Sequence, residues 1–152
     1  MSKLRLVPIL LDGNHEHPEY SSEHVKEICG MMSRQYSKTG FYKPWIGYLA
    51  VADSNYVGTC AFKSIPIDQR VEIAYYTFPH FEKKGFATQM ARELVSMAKR
   101  EKPEVLIFAQ TLPQENISTR ILKKLGFTFT KKVDHPEDGL VWEWELKRES
   151  VG

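Results

Sequence analysis

The sequence predicts an α/β fold in which a mixed, mostly antiparallel sheet is flanked by helices. Several short runs alternate apolar and polar residues, which is typical of strands with one buried face. Other stretches carry apolar residues at helical spacing. The length of 152 residues suits one domain around one core. We therefore expect residues 1–152 to form a single domain with the element order β, α, β, β, β, α, β, α, β, β.

The first half of the chain predicts one strand, one helix and a hairpin. The run "KLRLVPIL" alternates and indicates a strand over residues 3–9. A helix is expected from Ser21 to about Tyr36, with Ser21 or Ser22 as its N-terminal cap. The segment "WIGYLAVADSNYVGTCAFKSI" contains two β-rich runs around Asp53-Ser54-Asn55, which predicts a hairpin.

The second half predicts four more strands and two helices. The run "VLIFAQT" is continuously apolar, which is typical of a strand buried on both faces. Gly126 closes the last helix. The predicted elements are a strand at "RVEIAYYTF", a helix over 87–101, a strand over 105–111, a helix over Asn116 to Leu125, and a hairpin of "FTFTKKV" and "LVWEWELK" joined by "HPEDG".

Composition excludes several classes of protein. The net charge of +2 is too near neutral to indicate a nucleic-acid partner. No apolar run approaches the roughly 20 residues that a membrane helix needs, and we expect neither a membrane span nor a signal peptide. Cys29 and Cys60 match no metal or redox spacing, so we expect reduced thiols in a cytoplasmic protein.

The junction "VEIAYYTFPHFEKKGFATQMA" carries the first functional signal. It begins as a strand and ends as a helix, with Lys83, Lys84 and Gly85 where the helix starts. A helix N-terminus leaves about four backbone N–H groups unpaired and attracts anions, and a glycine there permits close backbone approach. The junction therefore predicts a phosphate site, with an ordinary solvated loop as the alternative.

Residues 71–91 resemble the acetyl-CoA-binding segment of the GCN5-related N-acetyltransferases, the GNAT superfamily. The family pattern of a strand, a proline and a Gln/Arg-x-x-Gly-x-Gly/Ala loop is matched by Glu72-Ile73-Ala74-Tyr75, Pro79 and 82–87. The segment "LPQENISTRILKKLGF" resembles the family's later Asn-x-x-Ser-x-Arg…Leu-Gly-Phe helix. The branch most similar is that of the ribosomal-protein N-terminal acetyltransferases.

The resemblance implies the GNAT fold, with six to seven strands, about four helices and two central parallel strands that splay apart. It implies acetyl-CoA as co-substrate and no metal. A β-bulge near Tyr76 would supply the splay. The main chain of 75–77 would pair with the pantetheine arm, and the N–H groups of 83–88 would hold the pyrophosphate. The cofactor-binding residues implied are Tyr75, Tyr76, Thr77, Lys83, Lys84, Gly85, Phe86, Ala87, Thr88 and Asn116.

The resemblance also implies catalytic roles for Glu72 and Ser118. Glu72 is the candidate base that removes the amine proton, and an exposed strand carboxylate is the alternative. Ser118 is the candidate acid for the leaving thiolate, and a helix-start hydroxyl is the alternative. The chain departs from the family pattern at Glu82, where Gln or Arg is preferred, and at Leu122, where many relatives carry a tyrosine.

The expected partner is a primary amine, either a protein N-terminus or a small molecule, and the oligomeric state is left open between monomer and homodimer. A non-catalytic acyl-CoA-binding module on the same fold is the alternative function. The acidic, histidine-containing segment 15–24 lies where the family places its acceptor-site lid. A metal site in that segment is a weaker interpretation than a solvated loop.

Overall fold

The structure, a computed structural model, describes residues 3–16 and 22–146. Seven strands form one sheet, and the element order is the one predicted from the sequence. The described residues contain three α-helices and a short 3-10 turn at Pro79–Phe81, where about four helices were expected. The elements are β1 (Arg5–Pro8), α1 (Glu23–Thr39), β2 (Gly47–Ala52), β3 (Asn55–Phe62), β4 (Arg70–Thr77), α2 (Phe86–Glu101), β5 (Leu106–Thr111), α3 (Ile117–Lys124), β6 (Phe127–His135) and β7 (Gly139–Leu146).

The strand order across the sheet is β1-β2-β3-β4-β5-β7-β6. Every neighbouring pair is antiparallel except β4 and β5, which run parallel. The hairpin expected around 53–55 is present, and Asp53 and Ser54 both have positive φ, which matches the twist of a tight two-residue connection. The predicted mixed, mostly antiparallel sheet is therefore confirmed.

Helices cover both faces of the sheet. On the face that we call the α1 face, Val25 and Cys29 of α1 pack against Val7 and Leu49. On the opposite face, called the α2 face, α2 packs on β3 and β4 with the apolar stripe that its 3.6-residue period predicts. The fully buried side chains of that stripe are Met90, Ala91, Leu94 and Ala98.

The two parallel strands separate part of the way along their length. Their pairing runs from Arg70 opposite Leu106 to Glu72 opposite Phe108. Beyond this point β4 continues to Thr77 paired with β3, while β5 continues to its end paired with β7. The predicted splay is therefore present, and we call the gap the split.

Two details of the sheet differ from expectation. The bulge expected near Tyr76 is absent from the β3–β4 pairing, which keeps one register from Ile73 to Thr77. The split arises instead because each parallel strand follows its own antiparallel neighbour. In addition, β5 is buried on the α2 face alone, and its other face is half-buried.

A buried phenol joins α1 to the sheet edge. The Tyr36 hydroxyl donates to the Ile9 carbonyl at 2.8 Å and accepts from the Gly47 N–H at 2.9 Å. Tyr36→Phe leaves both groups without this partner, so we expect it to lower the free energy of unfolding by about 2 kcal/mol or more. Urea denaturation measures the change. Tyr42→Phe, at a side chain that is 59% exposed, is the control and should stay within about 0.5 kcal/mol; equal midpoints for both variants would contradict the prediction.

Candidate functional site

The loop that follows β4 leads into an open helix start. Lys83 and Gly85 have positive φ values of 64° and 82°, and Gly85 is the N-terminal cap of α2. Alternation of left-handed and right-handed residues turns successive N–H groups inward, which forms an anion-binding concavity. No side chain caps α2, and its first turn holds no acidic residue. Ser22 and Asn116, in contrast, cap α1 and α3.

The charges around this helix start favour an anion. Lys83 and Lys84 are exposed, and Lys84 Nζ lies 5.8 Å from the centre of the Phe81 ring. Glu82 is exposed to solvent. This is expected beside an anion site, because a carboxylate that pointed at the anion would repel it. Phe86 is buried in the core and anchors the first turn, while Ala87 and Thr88 stay half-exposed. The geometry predicted for a phosphate loop is therefore present, with free N–H groups at the helix end.

The last residues of β4 border the split. From Tyr75 to Thr77 the strand pairs with β3 along one edge, so its other edge faces the split. Tyr76 points to the α1 face and is 47% exposed. On the α2 face, the Tyr75 hydroxyl is buried beside the Ser118 hydroxyl, and Thr77 Oγ1 is buried and makes no hydrogen bond within the described part of the chain. An unpaired strand edge beside buried hydroxyls is suited to an extended ligand that carries amide groups.

Helix α3 begins beside this region. Asn116 accepts from the Thr119 N–H at 3.0 Å, and Thr119 Oγ1 accepts from the Asn116 N–H at 2.9 Å, so the two residues form a capping box. Ser118, in the first turn, is half-buried next to Tyr75. Leu122, one turn later, is fully buried. Glu115 is occupied by an ion pair with Lys123 at 3.0 Å.

Glu72 lies at the apex of the split, where the parallel pairing ends. The strand alternation places it on the α1 face with Ala74 and Tyr76. Burial is the main cause that raises the pKa of Glu72, and the nearby Glu143 carboxylate raises it further, while Lys63 lowers it. Glu72 is half-buried, which differs from the alternative of an exposed strand carboxylate, and its role as the base stays a prediction. A carboxylate whose pKa is raised is better matched to accepting a proton near neutral pH.

An ion-pair cluster lies beside Glu72. Arg70 Nη2 contacts carboxylate oxygens of Glu143 and Glu145 at 3.0 Å each, and its guanidinium lies 4.3 Å from the centre of the Phe108 ring. Glu143 is almost completely buried and also accepts from Gln110 Nε2 at 3.3 Å. These contacts join β4, β5 and β7 at the apex. The hydrogen bonds of Arg70 go to Glu143 and Glu145 rather than to Glu72.

A cavity of about 710 Å³ opens on the α1 face in front of Ala74 and Tyr76. Helix α1 forms one wall, and the turn between β6 and β7 forms another. Its side chains are mixed, with thioethers, a lysine and two carboxylates. The sequence marked "HPEDG" only as a turn, and no local signal indicated that it would line the same cavity as α1. The lining residues that sequence reasoning missed include Ile28, Met31, Met32, Lys63, His135, Glu137 and Asp138.

The acidic segment near the N-terminus does not line this cavity where it is described. His15 is buried, with its ring centre 5.6 Å from that of Tyr56, and Glu16 pairs with Arg5 at 2.7 Å. Residues 17–21, which include part of the predicted lid and the Ser21 cap, lie outside the described residues. Over 3–16 and 22–146 there is no group of three or more side chains suited to a metal ion. Nor does any helix in those ranges have the length and apolar character to cross a bilayer.

Comparison with known families gives one match that spans most of the chain. A family model described as "Acetyltransferase (GNAT) domain" matches residues 11–128. The search of curated proteins finds no match.

Solved structures give the same fold. RimL, a ribosomal L7/L12 α-N-protein acetyltransferase in complex with coenzyme A, is 15% identical, with a TM-score of 0.67 over 93% of this chain and 92% of that one. An acetyltransferase from Salmonella typhimurium that modifies the N-terminal serine of L7/L12 is 16% identical, with a TM-score of 0.63 over 83% and 75%. The microcin C7 self-immunity acetyltransferase MccE, in complex with acetyl-CoA and AMP, is 12% identical, with a TM-score of 0.64 over 80% and 69%.

The buried carboxylate gives a pH-dependent stability. The folded state raises the pKa of Glu72, so it favours the protonated carboxyl. The contribution of Glu72 to the free energy of unfolding is therefore fully present at low pH, and it is lost as the pH rises through the folded-state pKa. Glu72→Gln removes the charge, so it should melt above wild type at pH 8, and the two should converge near pH 4. Glu104→Gln, at an exposed loop, is the control and should show no such convergence. A pH-independent difference for Glu72→Gln would contradict the burial argument.

Proposed function

Since the chain belongs to the acetyltransferase (GNAT) domain family, we propose that acetyl-CoA and a primary amine meet at the split in its sheet. The enzyme moves the acetyl group of acetyl-CoA to the amine nitrogen, by direct attack while both are bound. The observation that carries the placement is that the split opens toward an uncapped helix start on the α2 face and toward a cavity on the α1 face.

The cofactor side is formed by β4, α2 and α3. The N–H groups of 83–88 hold the pyrophosphate, with Lys83 and Lys84 adding positive charge. The free edge of 75–77 pairs with the pantetheine arm. Asn116 lies at the start of α3, where its amide group can donate to the same ligand. When bound, acetyl-CoA supplies an activated thioester carbonyl, and a main-chain N–H at the split stabilises charge on its oxygen.

Glu72 accepts the proton of the acceptor amine. An ammonium group is not a nucleophile, and deprotonating a lysine-like amine with a pKa of about 10.4 costs about 4.6 kcal/mol at pH 7. An α-amine needs only about 1 kcal/mol. A single carboxylate with a raised pKa is suited to deprotonating an α-amine, which costs less than deprotonating a lysine-like amine. Glu72 lies at the apex, between the cofactor side and the acceptor side. This favours an α-amine over a lysine side chain.

The acceptor proposed is an α-amine, at a protein N-terminus or on a small molecule. The RimL structures support the first class, because those proteins act on ribosomal L7/L12 α-amines. The cavity of about 710 Å³ fits either class, since pockets of 300–1,000 Å³ are typical for bound ligands. Glu137 and Asp138 on its wall would attract a cationic amine.

An acceptor panel tests this function. Acetyl-CoA is incubated with the enzyme and with peptides that begin with different residues, Nα-blocked lysine peptides, amino acids and polyamines, and CoA release and product mass are measured. We expect free α-amines to be acetylated and Nα-blocked lysine peptides to be poor acceptors. Acetylation of lysine side chains alone would contradict the α-amine assignment.

Gly85 tests the pyrophosphate loop. Gly85→Asp places a side chain and a negative charge against the helix start, so it should abolish the rise in melting temperature that acetyl-CoA causes. Gly139→Asp is the matched control, since Gly139 also has a positive φ, of 74°, and an added Cβ there meets nothing within 4 Å. The control should keep the full acetyl-CoA shift. A folded Gly85→Asp protein with normal binding would remove the loop from the site.

Glu72→Gln tests the base. It keeps the shape of the side chain but not its basicity, so kcat/KM near pH 7 should fall by about 10²–10⁴-fold. The defect should shrink as the pH rises through the pKa of the acceptor, because the free amine then arrives deprotonated. Ser118→Ala should cost less, since a thiolate with a pKa of about 8.5 leaves without help. A pH–rate profile of both variants measures this, and a loss equal at every pH would assign Glu72 to substrate positioning.

A further inference from the structure

A lysine on the wall of the acceptor cavity lies directly opposite Glu72. Strands β3 and β4 pair up to Phe62 opposite Ile73, and the Lys63 N–H extends this pairing by donating to the Glu72 carbonyl at 2.9 Å. Residues opposite each other in an antiparallel pair project to the same face, with Cβ atoms about 4.5–5.5 Å apart. Lys63 lines the cavity on the α1 face, and its charge lowers the pKa of Glu72. A cation and an anion are therefore neighbours at the apex.

Neither of these two charges is neutralised by a direct contact. Within residues 3–16 and 22–146, no carboxylate lies within ion-pair distance of the exposed Lys63 ammonium group. Glu72 has no ion pair over the same ranges either, since Arg70 binds Glu143 and Glu145. A ligand with two opposite charges can therefore meet both groups.

The turn between β6 and β7 adds a hydrogen-bond donor to the same cavity. His135 Nδ1 accepts from the N–H groups of Glu137 and Asp138, at 3.1 Å each, which places the ring proton on Nε2. The Asp138 carboxylate lies 3.4 Å from Nδ1 and pairs with it only when the ring is protonated, and Nε2 carries a proton in that state as well. Nε2 has no partner in the described part of the chain, so Lys63 and His135 together offer donors suited to a carboxylate.

The wall formed by α1 is largely apolar. Ile28, Met31, Met32 and Gln35 follow the spacing of one helix face, and all four line the cavity. Thioether side chains are flexible and adapt to apolar groups of different shapes. Met31 is 62% exposed, so part of this surface is uncovered in the free protein. The cavity therefore has a charged end at the apex and an apolar wall at α1.

Resting on the proposed function, we infer that the acceptor is a free α-amino acid with an apolar side chain. Its amine faces Glu72, its carboxylate binds the Lys63 ammonium group and His135 Nε2–H, and its side chain packs against the methionines of α1. The amine and carboxylate of an amino acid share one carbon atom, which matches the adjacent positions of Glu72 and Lys63. A peptide N-terminus has a neutral amide in place of the carboxylate and leaves Lys63 without a counter-charge.

Binding the carboxylate in this way also helps the amine lose its proton. A carboxylate next to an ammonium group stabilises the charged form and raises the pKa of the amine. Pairing that carboxylate with Lys63 offsets its charge, so the pKa of the bound amine falls. The proton is then more easily transferred to Glu72.

The first test compares leucine with leucinamide, which differ only in the carboxylate. CoA release from acetyl-CoA is measured near pH 7 over a range of acceptor concentrations. Leucinamide has the more easily deprotonated amine, so intrinsic reactivity alone favours it. We expect kcat/KM for leucine to be higher by about 10-fold or more, with a leucine-initiated peptide resembling the amide. A leucinamide or peptide value equal to that of leucine would overturn the inference.

Lys63→Met tests the carboxylate contact. It should raise the KM for leucine about 10- to 100-fold and that for leucinamide less than about 3-fold, because one charge-assisted hydrogen bond is lost. Lys63 also acts on Glu72, but that effect applies to both acceptors, so the ratio of the two KM values isolates the contact. Lys63→Arg should restore most of the preference, and Lys102→Met, at the C-terminal cap of α2, should match wild type. An unchanged ratio in Lys63→Met would contradict the assignment.

His135→Asn tests the second donor without disturbing the turn. Asparagine Oδ1 replaces Nδ1 as acceptor for the N–H groups of Glu137 and Asp138, while the Nε2 donor is removed. The melting temperature should stay at the wild-type value, and the KM for leucine should rise about 3- to 10-fold. A wild-type KM for leucine would remove His135 from the acceptor site.

The outcomes separate this inference from the proposed function. If the enzyme binds no CoA and acetylates nothing in the acceptor panel, the proposed function fails, and this inference fails with it. If it acetylates peptide N-termini but not free apolar amino acids, the proposed function stands and only this inference is overturned. Acetylation of leucine in preference to aspartate and glycine supports both.

Discussion

The end of the parallel pairing at Glu72 and Phe108 is the constraint on which the rest of this structure depends. Beyond it, β4 and β5 would leave backbone groups unpaired, yet each strand keeps an antiparallel neighbour on its outer side. The sheet therefore loses only the hydrogen bonds between β4 and β5 beyond this point. The β3–β4 and β5–β7 pairings continue on either side of the split. Arg70 holds the apex together, because it joins β4 to the two carboxylates of β7 across the Phe108 ring.

In the proposed arrangement, a single strand separates the cofactor side of the site from the acceptor side. Side chains alternate along β4, so Tyr75 and Thr77 face α2 and α3 while Glu72 and Tyr76 face the cavity. One run of six residues therefore borders both sides of the proposed site. The same apex buries Glu72 near Glu143, and that burial raises its pKa. The place where the strands part is thus also the place where a carboxylate is best tuned to accept a proton.

Local patterns were enough to predict the element order, the hairpin at 53–55 and a helix start beside Gly85, because each depends on neighbours in sequence. Features set by distant neighbours could not be read in this way. The sequence left the face of Glu72 undetermined, and it gave no sign that the β6–β7 turn would line the cavity. In α3 the polar Thr119 is fully buried and the apolar Ile117 is 55% exposed, so residue type alone did not identify the buried face of this helix.

Within the described residues, unpaired polar groups are concentrated at the candidate site. The described residues concentrate several costs along β4: an open strand edge, an unpaired buried hydroxyl at Thr77 and a desolvated carboxylate at Glu72. Elsewhere buried polar groups are paired, as Tyr36 with Ile9 and Gly47, and Trp144 Nε1 with Thr111 at 3.0 Å. Unpaired groups reduce stability, and they persist where a ligand completes them. A ligand that pairs the open strand edge would therefore stabilise this region more than contact area alone accounts for.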